Sequence, residues 1–312
     1  MKNSYALLIL IFFLAACSDS IDPLEPSIEE IPSFFGITPS TIPIDANALF
    51  FKDVSYGAQE RNKLDLLIPS NDPIEGMVVL FHGGSFQFGA KEELYNEEFN
   101  YILTDLLNNK IGIANANYSF ITEPHSEGVF TSLEDGSKVI DFIRKNNSTL
   151  NFPNNKLVLA GISAGAGIAQ WNGFREKTNA EVEGIVALYA QSTYDLYKWG
   201  DVFEEFNLDS IREVNNEIQT LFTQFYGGDY TVEKASALDY ISEIDVDDPA
   251  LYVYNPVYSS EVISNETLDL DVLFHSFKHA DLLRAKASEV GLEFSGAYQE
   301  FPQAFIKRIL ID

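Results

Sequence analysis

The segment KLVLAGISAGAGIAQ, residues 156–170, limits what this chain can fold into more than any other stretch. It runs from an apolar strand into a turn of small residues carrying one hydroxyl, Ser163, and then into a helix-forming stretch. Strand, tight turn and helix in that order belong to an α/β architecture, in which buried strands present their turns at the carboxyl edge of a sheet. Gly161-Ile162-Ser163-Ala164-Gly165 fits G-x-S-x-G, the pattern of a serine held on a sharp, strained elbow. The flanking positions must then be small, and a side chain at Gly161 or Gly165 is expected to clash with neighbouring strands. The same order also opens a dinucleotide site. That spacing, however, needs Gly or Ala where Gln170 stands, and no acid ends the next strand at Ala190-Gln191.

A second glycine turn supports the first. The strand MVVLF ends in His82-Gly83-Gly84-Ser85-Phe86. Glycines let a backbone approach a reacting group closely, so the N–H groups of Gly83 and Gly84 are candidate oxyanion donors. The N–H of Ala164 joins them, with the dipole of the following helix behind it. From about residue 50, strands alternate with helices. The pattern predicts strands at 63–68, 77–82, 111–117, 156–161, 183–190, 250–254 and 293–298, and helices at 92–108, 131–146, 164–176, 232–242, 279–290 and 301–311. This is an α/β fold with a mainly parallel central sheet and helices on both faces. The stretch 192–230 breaks the alternation with amphipathic segments and predicts a helical cap insertion over the carboxyl edge. Its aromatic residues, Tyr194 and Trp199 among them, either line a pocket for an aryl or sugar group or pack the cap onto the body.

From DVSYGAQERNKLDLLIPS through VVLFHGGSFQFGAK, IGIANANYSF, SLEDGSKVIDFIRKN and LVLAGISAGAGIAQ, the chain resembles the α/β-hydrolase superfamily. Within it, the likeness is to the Bacteroidetes feruloyl-esterase-like branch of carboxylesterases near the hormone-sensitive-lipase group. The resemblance covers about residues 50–190. It implies an α/β-hydrolase fold and hydrolysis of carboxylic esters, often acetyl or feruloyl groups on plant polysaccharide. The substrate would be a small-molecule or glycan-linked ester. Ser163 takes the place of the nucleophile, and Gly83, Gly84 and Ala164 those of the oxyanion donors; Ser85 stands where many relatives carry a third glycine. No metal-ligand spacing or phosphate loop is present, so neither a metal nor a cofactor is expected.

The resemblance also exposes a gap. In such enzymes the acid follows the strand that here reads ALYVYN, and the histidine follows the last strand. The acid position falls near Tyr258, where the nearest carboxylate is Glu261, and the final stretch SGAYQEFPQAFIKRILID contains no histidine. Topology offers a replacement, because every segment that follows a strand lies on the edge where the serine is displayed. His275, in DLDVLFHSFKHADLL, is the expected base, with Asp271, Asp269 or Glu261 orienting its ring. His82 is expected to tie the oxyanion loop, His125 to sit at the surface or the pocket rim and His279 to cap or open its helix. Two functions stay open: a serine ester hydrolase with a displaced or degenerate triad, or a pseudoenzyme that keeps the fold as a surface binding or scaffold lipoprotein.

In MKNSYALLILIFFLAAC, Lys2 precedes an apolar run from Tyr5 to Ala16. Those twelve residues fall short of the roughly 20 that cross a bilayer as a helix, so residues 1–16 are expected to be a secretory signal. Leu14-Ala15-Ala16-Cys17 resembles the bacterial lipobox, which predicts a lipid, palmitate among its acyl chains, on Cys17. Residues 17–46, rich in proline and acids, are expected to be a flexible tether, and 47–312 the α/β-hydrolase domain with its cap at about 192–230. The expected location is the bacterial cell envelope, lipid-anchored at the outer membrane; acids after Cys17 resemble a surface-export signal of Bacteroidetes lipoproteins. A net charge of −27 repels nucleic acid and anionic headgroups, which leaves the anchoring to the lipid.

Overall fold

The computed structural model describes residues 36–70, 73–264 and 268–312. The signal at 1–16, Cys17 and the first part of the tether lie outside the described residues. Eight strands form one sheet in the order β1-β2-β4-β3-β5-β6-β7-β8. They are β1 Ala48–Ser55, β2 Lys63–Pro69, β3 Gly76–Phe81, β4 Ile111–Ala116, β5 Leu157–Ile162, β6 Val182–Leu188, β7 Ala250–Tyr254 and β8 Phe294–Gly296. β1, β2 and β4 pair antiparallel at one side, and every pairing from β4 through β3 to β8 is parallel. This is the α/β-hydrolase fold.

All seven predicted strands are present, β8 shorter than expected. The strand missing from the prediction is β1. Its register against β2 shifts between Phe51 and Val54, where Asp53 takes φ 59° and its N–H donates to Asp65 at 2.8 Å. A bulge there breaks the two-residue alternation by which an edge strand is read. The packed body also begins before residue 47. Ser40 bridges Phe50, and Ile44 is buried in the core on that face of the sheet.

The central strands are buried along almost their whole length, as a sheet covered on both faces requires. Register does the positioning. Phe81 pairs with Gly161, and Gly161 with Ala187, so β3, β5 and β6 end level and their following loops meet at one place. The long helix predicted over 92–108 is divided: Asn96 accepts from the N–H groups of Glu98 and Phe99 and starts α1, Glu97–Asn108, afresh after a short 3₁₀ turn. α2 spans Val129–Lys145, and α3, Ala164–Gly173, is buried at every residue.

The cap is present where it was expected, but in pieces: α4 Trp199–Val202, α5 Leu208–Val214 and α6 Asn216–Phe225. Asn207 and Asn215 each cap a new helix start, which cuts one amphipathic run into separate turns. Trp199, Phe203, Phe222 and Tyr226 are buried and Tyr197 is exposed, so most of the cap's aromatic residues pack it onto the body. α7 spans Val232–Leu238. A six-residue helix without a clear sequence pattern, α8 Leu270–His275, is followed by α9 Phe277–Val290 and α10 Pro302–Ile311.

Candidate active site

Ser163 leaves β5 with φ 53° and ψ −116°, a conformation an L-residue adopts only under strain of about 1–3 kcal/mol. The strain is held by packing. Its N–H donates to the Leu188 carbonyl at 2.8 Å, and a Cβ added at Gly161 would lie 2.1 Å from the Gly165 carbonyl oxygen. One added at Gly165 would lie 2.2 Å from that of Phe81. Both positions admit only glycine, as the pattern predicts.

The elbow aims the serine at α8. Ser163 Oγ lies 2.9 Å from His275 Nε2, and His275 Nδ1 lies 2.7 Å from Asp271 Oδ1. A carboxylate only accepts, so Nδ1 carries the proton and Nε2 is left to accept from the serine hydroxyl. Asp271 and His275 stand four residues apart on a single helical turn, the spacing at which side chains face each other. The bond from His275, followed by one from the Tyr258 hydroxyl, holds the Asp271 carboxyl below its ordinary range. Tyr258 occupies the place where the family resemblance expects the acid, and from there its hydroxyl reaches the Asp271 carboxylate.

The other two candidate acids have different partners. Asp269 caps α8 by accepting from the N–H groups of Asp271, at 3.0 Å, and Val272. Glu261 accepts from the Tyr258 N–H at 2.7 Å and from the Ser276 hydroxyl. A six-residue helix has most of its carbonyls unpaired at its carboxyl end, and here side chains take them up. His279 Nε2 donates to Leu273 at 2.9 Å, Gln191 Nε2 to Phe274 at 2.8 Å, and Asn255 Nδ2 to His275 at 3.0 Å and to Ser276 at 2.9 Å. His279 therefore braces the helix before its own, in addition to lying in the first turn of α9. The D-x-x-x-H spacing behind an Asp cap was the signal for α8, and it is faint in so short a helix.

The glycine turn after β3 is fixed from behind. Gly83 packs against the elbow, where an added Cβ would lie 3.6 Å from that of Ser163. Its carbonyl accepts from His82 Nδ1 at 2.6 Å and from the Tyr118 hydroxyl at 3.2 Å. A trans peptide points N–H and C=O in opposite directions, so the Gly84 N–H faces away from these two donors. Arg61 lies 3.3 Å from His82 Nε2, which must accept from it, and this fixes the proton on Nδ1. Gly84 has φ 113°, and an added Cβ would lie 2.0 Å from the Phe88 carbonyl oxygen. Ser85, in the place of a third glycine, still takes a left-handed φ of 52°. His125 is partly exposed and 3.2 Å from Glu123, outside the site.

His82 and His279 are fully buried, and burial holds both imidazoles down at about 4. Unfolded, each titrates near 6.5 and binds a proton that the folded protein refuses, so stability falls as pH drops from about 6.5 toward 4. Between pH 7 and pH 5 each imidazole removes about 2 kcal/mol. Asp248, which burial raises to about 6, gains protons on folding in the same window and works the other way. Urea unfolding at the two pH values is therefore expected to show His279→Asn losing about 2 kcal/mol less than wild type, although it starts less stable. Parallel losses in the two proteins would refute the assignment.

Next to Ser163 opens a narrow hollow of about 70 Å³. Ser85, Phe86, Ala164, Gln191, Tyr194, Leu196, Trp199, Leu221, Phe225 and Phe274 complete its wall. Fold and site geometry together are those of an α/β-hydrolase. The chain belongs to the BD-FAE family, an α/β-hydrolase esterase family, whose profile matches residues 64–255, more than half of the chain. The match includes the elbow and the glycine turn and stops before Asp271 and His275. Isoprenylcysteine alpha-carbonyl methylesterase ICME of Arabidopsis thaliana is 28% identical over 211 residues, 64% of this chain. The match spans 44% of that protein's length. Among solved structures, a truncated carbohydrate esterase from gut microbiota superposes with TM-score 0.58 at 14% identity, covering 83% of this chain and 87% of its own. Esterase B from Lactobacillus rhamnosis gives 0.56 at 12%, with 81% and 76% covered. The Thermogutta terrifontis esterase Est2 gives 0.55 at 14%, with 80% and 82% covered. At such identities the likeness to these structures is one of fold.

Proposed function

We propose that the protein is a serine carboxylic-ester hydrolase in which a histidine displaced to α8 serves as the base. The observation that carries this reading is the chain of hydrogen bonds from Ser163 through His275 to Asp271, with the imidazole tautomer fixed by its ends. Ser163 Oγ attacks the acyl carbonyl while His275 Nε2 takes its proton. His275 then returns the proton to the departing alcohol, and a water activated by the same nitrogen releases the acid. Asp271 keeps the proton on Nδ1 and steadies the imidazolium. The N–H groups of Gly83, Gly84 and Ala164 receive the charge that develops on the carbonyl oxygen, and a single donor of this kind contributes about 10²- to 10³-fold in rate. In this reading the triad is displaced rather than degenerate, and the unbroken Ser163–His275–Asp271 chain favours it over the pseudoenzyme. Acetyl and feruloyl esters, free or glycan-linked, are the substrates the family resemblance suggests. Hydrolysis of p-nitrophenyl acetate tests the activity: wild type is expected to turn it over, and equal rates for Ser163→Ala would overturn the reading.

The same reading places the enzyme at the bacterial envelope, held by lipid on Cys17 after cleavage of residues 1–16. Its support is the Leu14-Ala15-Ala16-Cys17 motif behind a short apolar run. Two or more acyl chains on one residue suffice for stable attachment, at about 0.8 kcal/mol per buried methylene. Full-length protein expressed in a bacterium is expected in the membrane fraction, and Cys17→Ala in the soluble one. Membrane retention of Cys17→Ala would contradict the anchor.

A further inference from the structure

The hollow beside Ser163 shares part of its wall with a second one. Leu196, Trp199, Leu221 and Phe274 also line this second, narrow hollow of about 40 Å³ beneath the cap, bounded further by Phe206, Ile211, Ile218, Leu270 and Leu273. The second chamber is walled wholly by apolar side chains. In the first, the polar groups other than Ser163 and Ser85 are already engaged by the protein. Gln191 Nε2 donates to the Tyr189 and Phe274 carbonyls at 3.1 and 2.8 Å. Gln191 Oε1 accepts from the Tyr194 hydroxyl at 3.2 Å, and Trp199 Nε1 donates to the Thr193 carbonyl at 2.9 Å. A feruloyl hydroxyl or a sugar placed here would lose its hydrogen bonds to water and find little to replace them, whereas a hydrocarbon chain loses nothing.

We propose that these two chambers form one channel for the acyl arm of the ester, and that its occupant is a linear, medium-length alkanoyl chain. The inference rests on the esterase reading above and narrows its substrate class. Chemistry assigns the arm. The leaving alcohol must receive its proton from His275, and His275 is absent from the wall of the first chamber while Ala164, beside the nucleophile, is part of it. The alcohol therefore departs past His275, and the acyl chain stays in the channel during the covalent intermediate. Leu221, half-buried on α6, stands at the partition between the chambers.

The test holds the leaving group constant and varies the acyl chain, using p-nitrophenyl acetate, butyrate, octanoate and ferulate. We expect kcat/KM to rise about two- to fourfold per methylene from acetate to octanoate, with ferulate below octanoate. Leu221→Trp is expected to lower the octanoate-to-acetate ratio by about tenfold or more. Ile218→Trp, which fills the second chamber, gives the same fall and serves if Leu221→Trp does not fold. Turnover of acetate with no preference for octanoate, or a ratio that neither tryptophan changes, would overturn the channel and leave the esterase standing. Turnover of none of the esters would overturn the esterase reading itself.

Discussion

Replacing His275 by alanine is expected to lower kcat/KM for p-nitrophenyl acetate about 10⁴- to 10⁶-fold, with little change in substrate binding. In a serine hydrolase the serine and its base act as one unit, so loss of the imidazole costs nearly as much as loss of the serine. What survives, about 10³- to 10⁴-fold over water, comes from the oxyanion donors and from binding. The other three histidines cannot take over. His82 accepts from Arg61 and donates to Gly83, His279 is buried between Ser192 and Leu273, and His125 pairs with Glu123. A loss below about tenfold would mean that another group deprotonates Ser163.

Asp271→Asn is expected to cost about 10³-fold, carried almost entirely by kcat. An amide can present either N–H₂ or C=O to His275 Nδ1, so it no longer selects the tautomer whose Nε2 accepts from Ser163. A fully buried triad acid replaced in this way costs about 10⁴. Asp271 is 65% exposed, water and salt screen its charge, and the expected loss is smaller for that reason. The same substitution at Asp269, which caps the helix and does not reach the imidazole, is expected to preserve most of the activity, since Asn caps as well as Asp does. Equal losses at 269 and 271 would show that the helix, rather than its acid, limits the rate.

The elbow and the glycine turn were legible in the sequence because glycine there is enforced by backbone contact. The atoms that a Cβ would strike at Gly161, Gly165 and Gly84 belong to the main chain, so no side-chain change elsewhere relieves the clash. The parallel strands were legible as long apolar runs. β1 was not, because its bulge at Asp53 interrupts the alternation, and the cap's division into short helices depended on two asparagines whose capping role shows only in place. His275 and Asp271 could be nominated from topology alone, together with Asp269 and Glu261. Choosing among the three carboxylates required α8, and a six-residue helix held by Gln191, Asn255 and His279 from three other segments leaves almost no local signal.

The most direct test is covalent labelling of residues 36–312 by a fluorophosphonate, read by intact mass for wild type, Ser163→Ala and His275→Ala. The account predicts a single adduct on wild type, mapped to Ser163, and none on either variant within the same time. An unlabelled wild type, or a variant lacking His275 that labels as fast as wild type, would contradict it.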